Sequence, residues 1–206
     1  ATFFLISCGV AEVLSLSSTM PLGWPLIMLP VQILWLNVVT NGILHIALTF
    51  EPIDPALVKR PPRPHDEGIM NQNLLRRTAS VSLVMALGVV SLFFWEFFQR
   101  NMPLEYAQVS ALTLLVTFQA VHVFNCRDEH ISVFKKSVFL NNVLFFGTIG
   151  SLGLHILALY APITQELLSL RPLDQNSWIT LLLISLLVTV PNELDKLYLK
   201  WKESSS

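Results

Sequence analysis

Six long apolar stretches set the strongest limit on how this chain can fold. A helix that crosses the hydrocarbon core of a bilayer needs about 20 mainly apolar residues, and six segments of this 206-residue chain meet or approach that length. We predict spanning helices over about 1–18, 26–50, 78–98, 106–124, 138–160 and 178–194. The predicted fold class is therefore all-α, an integral membrane bundle of six transmembrane helices.

The composition agrees with a membrane protein whose main partner is the lipid bilayer. Hydrophobic residues make up 53% of the chain and charged residues 13%, whereas soluble domains carry about 25% charged residues. The net charge of -1, without a basic tract, predicts no nucleic-acid partner. The chain begins inside an apolar run with no initiator Met, which we interpret as the start of a segment of a longer protein.

The basic residues predict how the helices are oriented, because lysine and arginine accumulate on the cytoplasmic side of membrane proteins. If the loop 51–77 is cytoplasmic and six helices alternate, only Arg100 and Arg171 lie outside. The other eleven of the thirteen basic residues are then cytoplasmic: Lys59, Arg60, Arg63, Arg76, Arg77, Arg127, Lys135, Lys136, Lys196, Lys200 and Lys202. We therefore predict a multi-pass membrane protein with both ends of this segment in the cytoplasm.

Polar residues inside the apolar stretches need an explanation, since an ionisable group at the centre of a spanning helix costs about 2.5–3.5 kcal/mol on insertion scales. Asn37, Thr40 and Asn41 are spaced i, i+3 and i+4, which places them on one face of the second helix. Glu12 lies in the first helix and Gln119 in the fourth. Carboxylate, amide and hydroxyl oxygens are the ligands of hard cations, so these five residues are the candidate cation ligands.

A simpler interpretation stays open for each polar residue on its own. Asn, Thr and His side chains also join membrane helices by hydrogen bonds worth about 0.6 kcal/mol each, and His45 and His122 fit that role best. A buried carboxylate needs a counter-charge or a proton, so the presence of Glu12 favours an ion site over simple hydrogen bonding between helices. The sequence lacks a Gly-rich phosphate loop, a catalytic triad pattern and a Cys/His metal cluster; we predict no catalytic and no cofactor-binding residue.

The stretch LPVQILWLNVVTNGILHIALTFEPIDPALVKRPPR, residues 29–63, resembles the sixth transmembrane helix and following loop of P-type cation-transporting ATPases of the calcium-pump type (type II). PVQILW, the Asn-x-x-Thr-x-Gly core and KRPPR carry the likeness, and GVAEVL (9–14) is similar to the family's Asn-Val-Gly-Glu-Val motif in helix five. The resemblance implies that residues 1–206 are the C-terminal membrane domain, helices five to ten, of a pump that exports Ca²⁺ or another cation. It also implies that Glu12, Asn37 and Thr40 are cation ligands.

Two positions depart from the family pattern. The family's sixth-helix aspartate is Asn41 here, and its fifth-helix asparagine is Gly9. Gln119 stands where some of these pumps have glutamate and others glutamine. Because Glu12 is the one matched carboxylate, two bound Ca²⁺ ions are not expected, whereas one divalent ion, a monovalent ion or a proton fits the remaining charge.

The chemistry that drives such a pump is not visible in these residues. The resemblance implies a parent protein that hydrolyses ATP with Mg²⁺ in cytoplasmic domains, and these domains and the other membrane helices would be partners of this segment. Whether this segment is called an enzyme therefore depends on the parent. The alternative is a stand-alone secondary transporter or a non-catalytic membrane scaffold; an Asp-Lys-Thr-Gly motif upstream of this segment would distinguish the pump from both.

Overall fold

The computed structural model describes residues 1–52, 72–128 and 131–204, and within these ranges it contains helices and no strands. Six helices are long and apolar enough to cross a membrane. They are α1 (Thr2–Leu22), α2 (Pro30–Thr49), α3 (Gln72–Gln99), α4 (Leu104–Asn125), α5 (Asn142–Tyr160) and α6 (Gln175–Leu199). The predicted all-α, six-helix membrane bundle is confirmed, and the chain is a multi-pass membrane protein.

Helix α4 lies at the centre of the bundle. Its side chains are buried around the whole circumference, and it contacts each of the other five membrane helices. The other helices bury one side and expose Leu, Ile, Val and Phe side chains on the other, as expected where a helix meets lipid. Gln119 and His122 on α4 therefore lie in the protein interior and not at the lipid surface.

Helix α3 begins at Gln72, six residues before the predicted start. Arg76 and Arg77 therefore belong to this helix and not to the predicted loop. Asp195 of α6 forms ion pairs with both arginines, which stabilises two basic side chains at the start of a membrane helix. Of the predicted cytoplasmic loop, residues 53–71 lie outside the described residues.

Helix α5 begins at Asn142, later than the predicted start at 138. The side chain of Asn141 accepts a hydrogen bond from the backbone N–H of Leu144 at 2.9 Å and thereby caps the helix. The preceding residues Val138–Leu140 form a separate 3₁₀ turn. This cap sets the start of α5 at Asn142, a position that the hydrophobicity of the sequence does not reveal.

Helix α6 continues past Pro191, beyond the predicted end at 194. A proline inside a helix removes one backbone hydrogen bond and crowds the preceding turn. Here the tighter 3₁₀ turn Leu186–Val188 lies just before the proline, and Asn192 Nδ2 donates to the Val188 carbonyl at 2.9 Å. These local adjustments let the helix pass the proline without ending.

Helix α2 changes its geometry midway. It is α-helical over Pro30–Trp35, forms wider π-helical turns over Leu36–Gly42, and returns to α-helix over Ile43–Thr49. We call Leu36–Gly42 the wide stretch. Such turns are rare and are frequent at functional sites; all three polar candidates of α2 lie within this one.

Candidate cation site

The Glu12 carboxylate lies between three helices, and 6% of the residue's surface is exposed. Three amide groups donate hydrogen bonds to it: Asn41 Nδ2 to Oε1 at 3.0 Å, Gln119 Nε2 to Oε1 at 3.2 Å and Asn37 Nδ2 to Oε2 at 3.2 Å. Among the residues that the structure describes, no lysine, arginine or histidine forms a salt bridge with Glu12. The donors that meet this carboxylate are thus neutral.

The two asparagines of the wide stretch are also joined to each other. Asn41 Nδ2 donates to Asn37 Oδ1 at 2.8 Å, and Asn37 Nδ2 donates to the Ile33 carbonyl at 3.1 Å, one turn earlier in α2. The amide groups therefore form a connected network on one face of the helix. A movement of the wide stretch would move both amides relative to Glu12.

Three buried oxygen atoms of the predicted ligands have no hydrogen-bond partner among the described residues: Thr40 Oγ1, Asn41 Oδ1 and Gln119 Oε1. Buried polar atoms in proteins are nearly always paired, because leaving one unpaired costs about 1–3 kcal/mol. Two of the three belong to side chains that already contact Glu12 through their nitrogen ends. Hydroxyl and amide oxygens of this kind are the ligands that hard cations take.

The structure thus brings four of the five predicted ligands together, namely Glu12, Asn37, Asn41 and Gln119. Thr40, the fifth, is fully buried beside Asn41 in the wide stretch. His122 lies one turn from Gln119 but pairs with Ser7 Oγ at 2.8 Å. His45, one turn beyond Asn41, is half-buried and is not among the donors to Glu12.

The site offers oxygen ligands and not the nitrogen and sulfur ligands of a zinc centre. In residues 1–52, 72–128 and 131–204, no group of three or more His, Cys, Asp and Glu side chains is placed to hold a metal ion. One carboxylate accompanied by amides and a hydroxyl suits hard cations such as Ca²⁺, Mg²⁺ or alkali ions.

Two residues of α5 that contact the other side of α2 were not among the predicted site residues. Trp35 Nε1 donates to His155 Nδ1 at 3.3 Å, and Ser151 Oγ donates to the Val39 carbonyl at 3.2 Å. Serine and histidine four residues apart share one face of this apolar helix, but the sequence does not show which neighbouring helix that face contacts.

A second carboxylate, Glu51, lies just beyond the end of α2 in very different surroundings. Arg127 Nε donates to both of its oxygens, at 3.1 and 2.9 Å, Lys136 Nζ lies 3.0 Å from Oε1, and Asn141 Nδ2 donates to Oε2 at 3.1 Å. Burial acts to raise the pKa of the Glu51 carboxyl, but the hydrogen bonds from these three side chains outweigh it and hold the pKa below its usual value. The protein itself neutralises this charge.

Several known proteins are similar in sequence to this chain. The family model described as "Cation transporting ATPase, C-terminus" matches residues 25–198. The calcium-transporting ATPase of Bacillus subtilis is 30% identical, over 90% of this chain and 21% of that protein. The endoplasmic reticulum calcium ATPase srcA of Aspergillus fumigatus is 30% identical, over 94% and 23%, and the calcium-transporting ATPase of Plasmodium falciparum is 28% identical, over 97% and 20%.

The chain spans about a fifth of the length of these relatives. The family match extends from just before α2 almost to the end of α6, and the six apolar helices agree with a membrane region. The chain belongs to the family of cation-transporting ATPase C-terminal regions, the membrane part of calcium-type P-type pumps.

Proposed function

We propose that this chain forms part of the cation-binding site and translocation pathway of an ATP-driven pump. The observation that carries the proposal is the Glu12 carboxylate, which is buried among neutral amide donors and lies beside oxygens without partners. A buried charge without a fixed counter-charge is costly. A cation that enters the site offsets that cost and can leave again, which a fixed arginine or lysine cannot.

The amide side chains suit a site that is loaded and emptied. Their nitrogen ends donate to Glu12 in the present arrangement. The last torsion of Asn and Gln is broad and roughly two-fold, so a half-turn presents the oxygen instead of the nitrogen. Asn41 and Gln119 then become cation ligands together with Glu12 and Thr40.

The transported cation is Ca²⁺ or another cation exported from the cytosol. The names of the relatives, which include calcium-transporting ATPases, support Ca²⁺. The described residues supply one carboxylate to the site, so a bound Ca²⁺ ion draws a further carboxylate from another part of the pump.

The parent protein supplies the energy. Relatives about five times as long support further domains outside this segment, and their names support the hydrolysis of ATP. We infer that these domains bind ATP and Mg²⁺ on the cytoplasmic side and are partners of this segment together with the lipid bilayer. The distribution of basic residues supports cytoplasmic positions for the loop 51–77 and for both ends of the segment.

A cation screen of ATP hydrolysis by the full-length pump tests this function. We expect one cation to stimulate hydrolysis in the wild type, and Glu12→Gln to lower the apparent affinity for that cation by about 100-fold, or about 2.7 kcal/mol. Glu96→Gln is the matched control, because Glu96 is equally buried but pairs with Arg100 at 2.9 Å. Unchanged affinity in Glu12→Gln, or an equal loss in both variants, contradicts the proposal.

A further inference from the structure

One face of α5 lies along α2 from Trp35, just before the wide stretch, to Ala47, beyond its end. Three residues of α5, spaced four apart, contact α2 in reverse order along the chain. The pairs are Gly147 with Ala47, Ser151 with Val39, and His155 with Trp35. Residues four apart share a helix face, so a single side of α5 supports α2 where its helical geometry changes.

The hydrogen bonds of His155 fix its tautomer and link three helices. The indole N–H of Trp35 can only donate, so His155 Nδ1 is the acceptor at 3.3 Å. The proton of the neutral ring then lies on Nε2, which donates to Thr113 Oγ1 of α4 at 3.0 Å. His155, 1% exposed, thereby connects the central helix to the residue that immediately precedes the wide stretch.

Ser151 acts within the wide stretch itself. The Ser151 hydroxyl donates to the Val39 carbonyl at 3.2 Å, and both residues are buried. The regular i→i−4 ladder of backbone hydrogen bonds is interrupted in a π-helical turn. A hydrogen bond from a neighbouring helix stabilises the backbone at that interruption.

Gly147 sets the distance between the two helices on the far side of the wide stretch. A Cβ atom at this position would lie 3.1 Å from Ala47 Cβ and 3.6 Å from Ile43 Cγ2. The missing side chain therefore permits a close approach. Gly150 lies on another face of α5, where a Cβ would meet no atom within 4 Å.

We propose that Ser151 and His155 are positioning residues for the cation site on α2. Neither is among the donors to Glu12; they hold the backbone of the wide stretch so that Asn37 and Asn41 reach that carboxylate from the opposite face. This inference rests on the proposed function. It assigns to α5 the control of cation affinity and leaves the binding itself to α1, α2 and α4.

The test measures the cation dependence of ATP hydrolysis by the full-length pump carrying Ser151→Ala or His155→Phe. Ser151→Ala removes one hydrogen bond to α2, and His155→Phe removes two, one to α2 and one to α4. We expect apparent cation affinity to fall about 3-fold to 10-fold while turnover at saturating cation stays near the wild-type value. His155→Gln retains an acceptor and a donor, and Ser151→Thr retains the hydroxyl; both conservative variants are expected to restore most of the affinity. A purely structural role would instead lower expression and turnover without this split.

Two glycine variants on the same helix provide the matched control. Gly147→Ala places a methyl group against Ala47, whereas Gly150→Ala makes the same change where there is open space. We expect lower cation affinity in the first variant alone.

The outcomes separate this proposal from the proposed function. Unchanged affinity in the Ser151, His155 and Gly147 variants, with affinity lost in Glu12→Gln, overturns the role of α5 and leaves the cation site intact. Equal effects of Gly147→Ala and Gly150→Ala also overturn it. An unaffected Glu12→Gln pump overturns the proposed function, and the positioning role with it.

Discussion

Two carboxylates lie near α2, and their surroundings are opposite in charge. Glu12 meets three neutral amides from α2 and α4 in the interior of the bundle. Glu51, just beyond the end of α2, meets the cationic side chains of Arg127 and Lys136. The described residues offer no cationic partner to the first carboxylate, whereas two cationic side chains pair with the second.

The contrast indicates how α2 can contact a binding group of α1 along its length and be anchored at its end by ion pairs. A carboxylate paired with fixed cations gains nothing from a mobile ion, so Glu51 and its partners join the end of α2 to the segment that leads into α5. A carboxylate surrounded by amides has no such competitor, which favours a mobile cation at Glu12. Variants that alter either carboxylate, or the residues beside it, test this distinction.

The largest expected effect is on stability. Glu51→Gln leaves the buried Arg127 guanidinium without its carboxylate partner, and breaking such a pair costs roughly 3 kcal/mol or more. Glu12→Gln leaves no cationic side chain unpaired, because the groups that contact Glu12 are neutral amides, and is expected to leave the free energy of unfolding unchanged or raise it. Thermal unfolding of the purified protein in detergent measures both.

Glu105→Gln is the control for the stability experiment, because the ion pair of Glu105 with Arg171 is largely exposed and is worth about 0–1 kcal/mol. A similar loss of stability in the Glu12 and Glu51 variants would remove the distinction between the two carboxylates. So would a Glu51 variant as stable as the exposed control.

The next effect concerns the choice of cation. Asn41→Asp adds a second carboxylate beside Glu12, and two negative charges balance a divalent ion better than a monovalent one. In the full-length pump we expect the ratio of divalent to monovalent apparent affinity to rise by about tenfold, or about 1.4 kcal/mol. Competition between cations in the ATP hydrolysis assay measures the ratio.

Asn192→Asp makes the same change at a buried asparagine of α6 that pairs with His122 and not with Glu12. The ratio of affinities is expected to stay at the wild-type value in this variant. A shift of equal size in both variants would mean that a negative charge added anywhere in the membrane helices changes the cation preference, independently of Glu12.

The helices could be predicted because a run of about 20 apolar residues is a local property of the sequence. Polar residues such as Glu12 and Asn41 stand out against that background, and the structure places them together, although their role as ligands stays a prediction. The wide stretch Leu36–Gly42 and the contacts of Ser151 and His155 could not be predicted, because they depend on which helices pack side by side. The early start of α3 depends in the same way on Asp195, far along the chain.

The smallest effect is the acid-dependent part of the stability that Glu51 contributes. Because burial is outweighed by the hydrogen bonds from Arg127, Lys136 and Asn141, the pKa of this carboxyl lies below its usual value in the folded protein. At pH values above its ordinary pKa of about 4.3, a carboxyl of this kind stabilises the fold. This contribution is lost as the pH falls through the lowered pKa of the folded protein. The stability difference between wild type and Glu51→Gln should therefore be largest at neutral pH and shrink in acid. Unfolding temperatures from neutral pH to about pH 3.5 measure this difference, and a gap that stays constant across that range would show that the carboxyl carries no charge-dependent stabilisation.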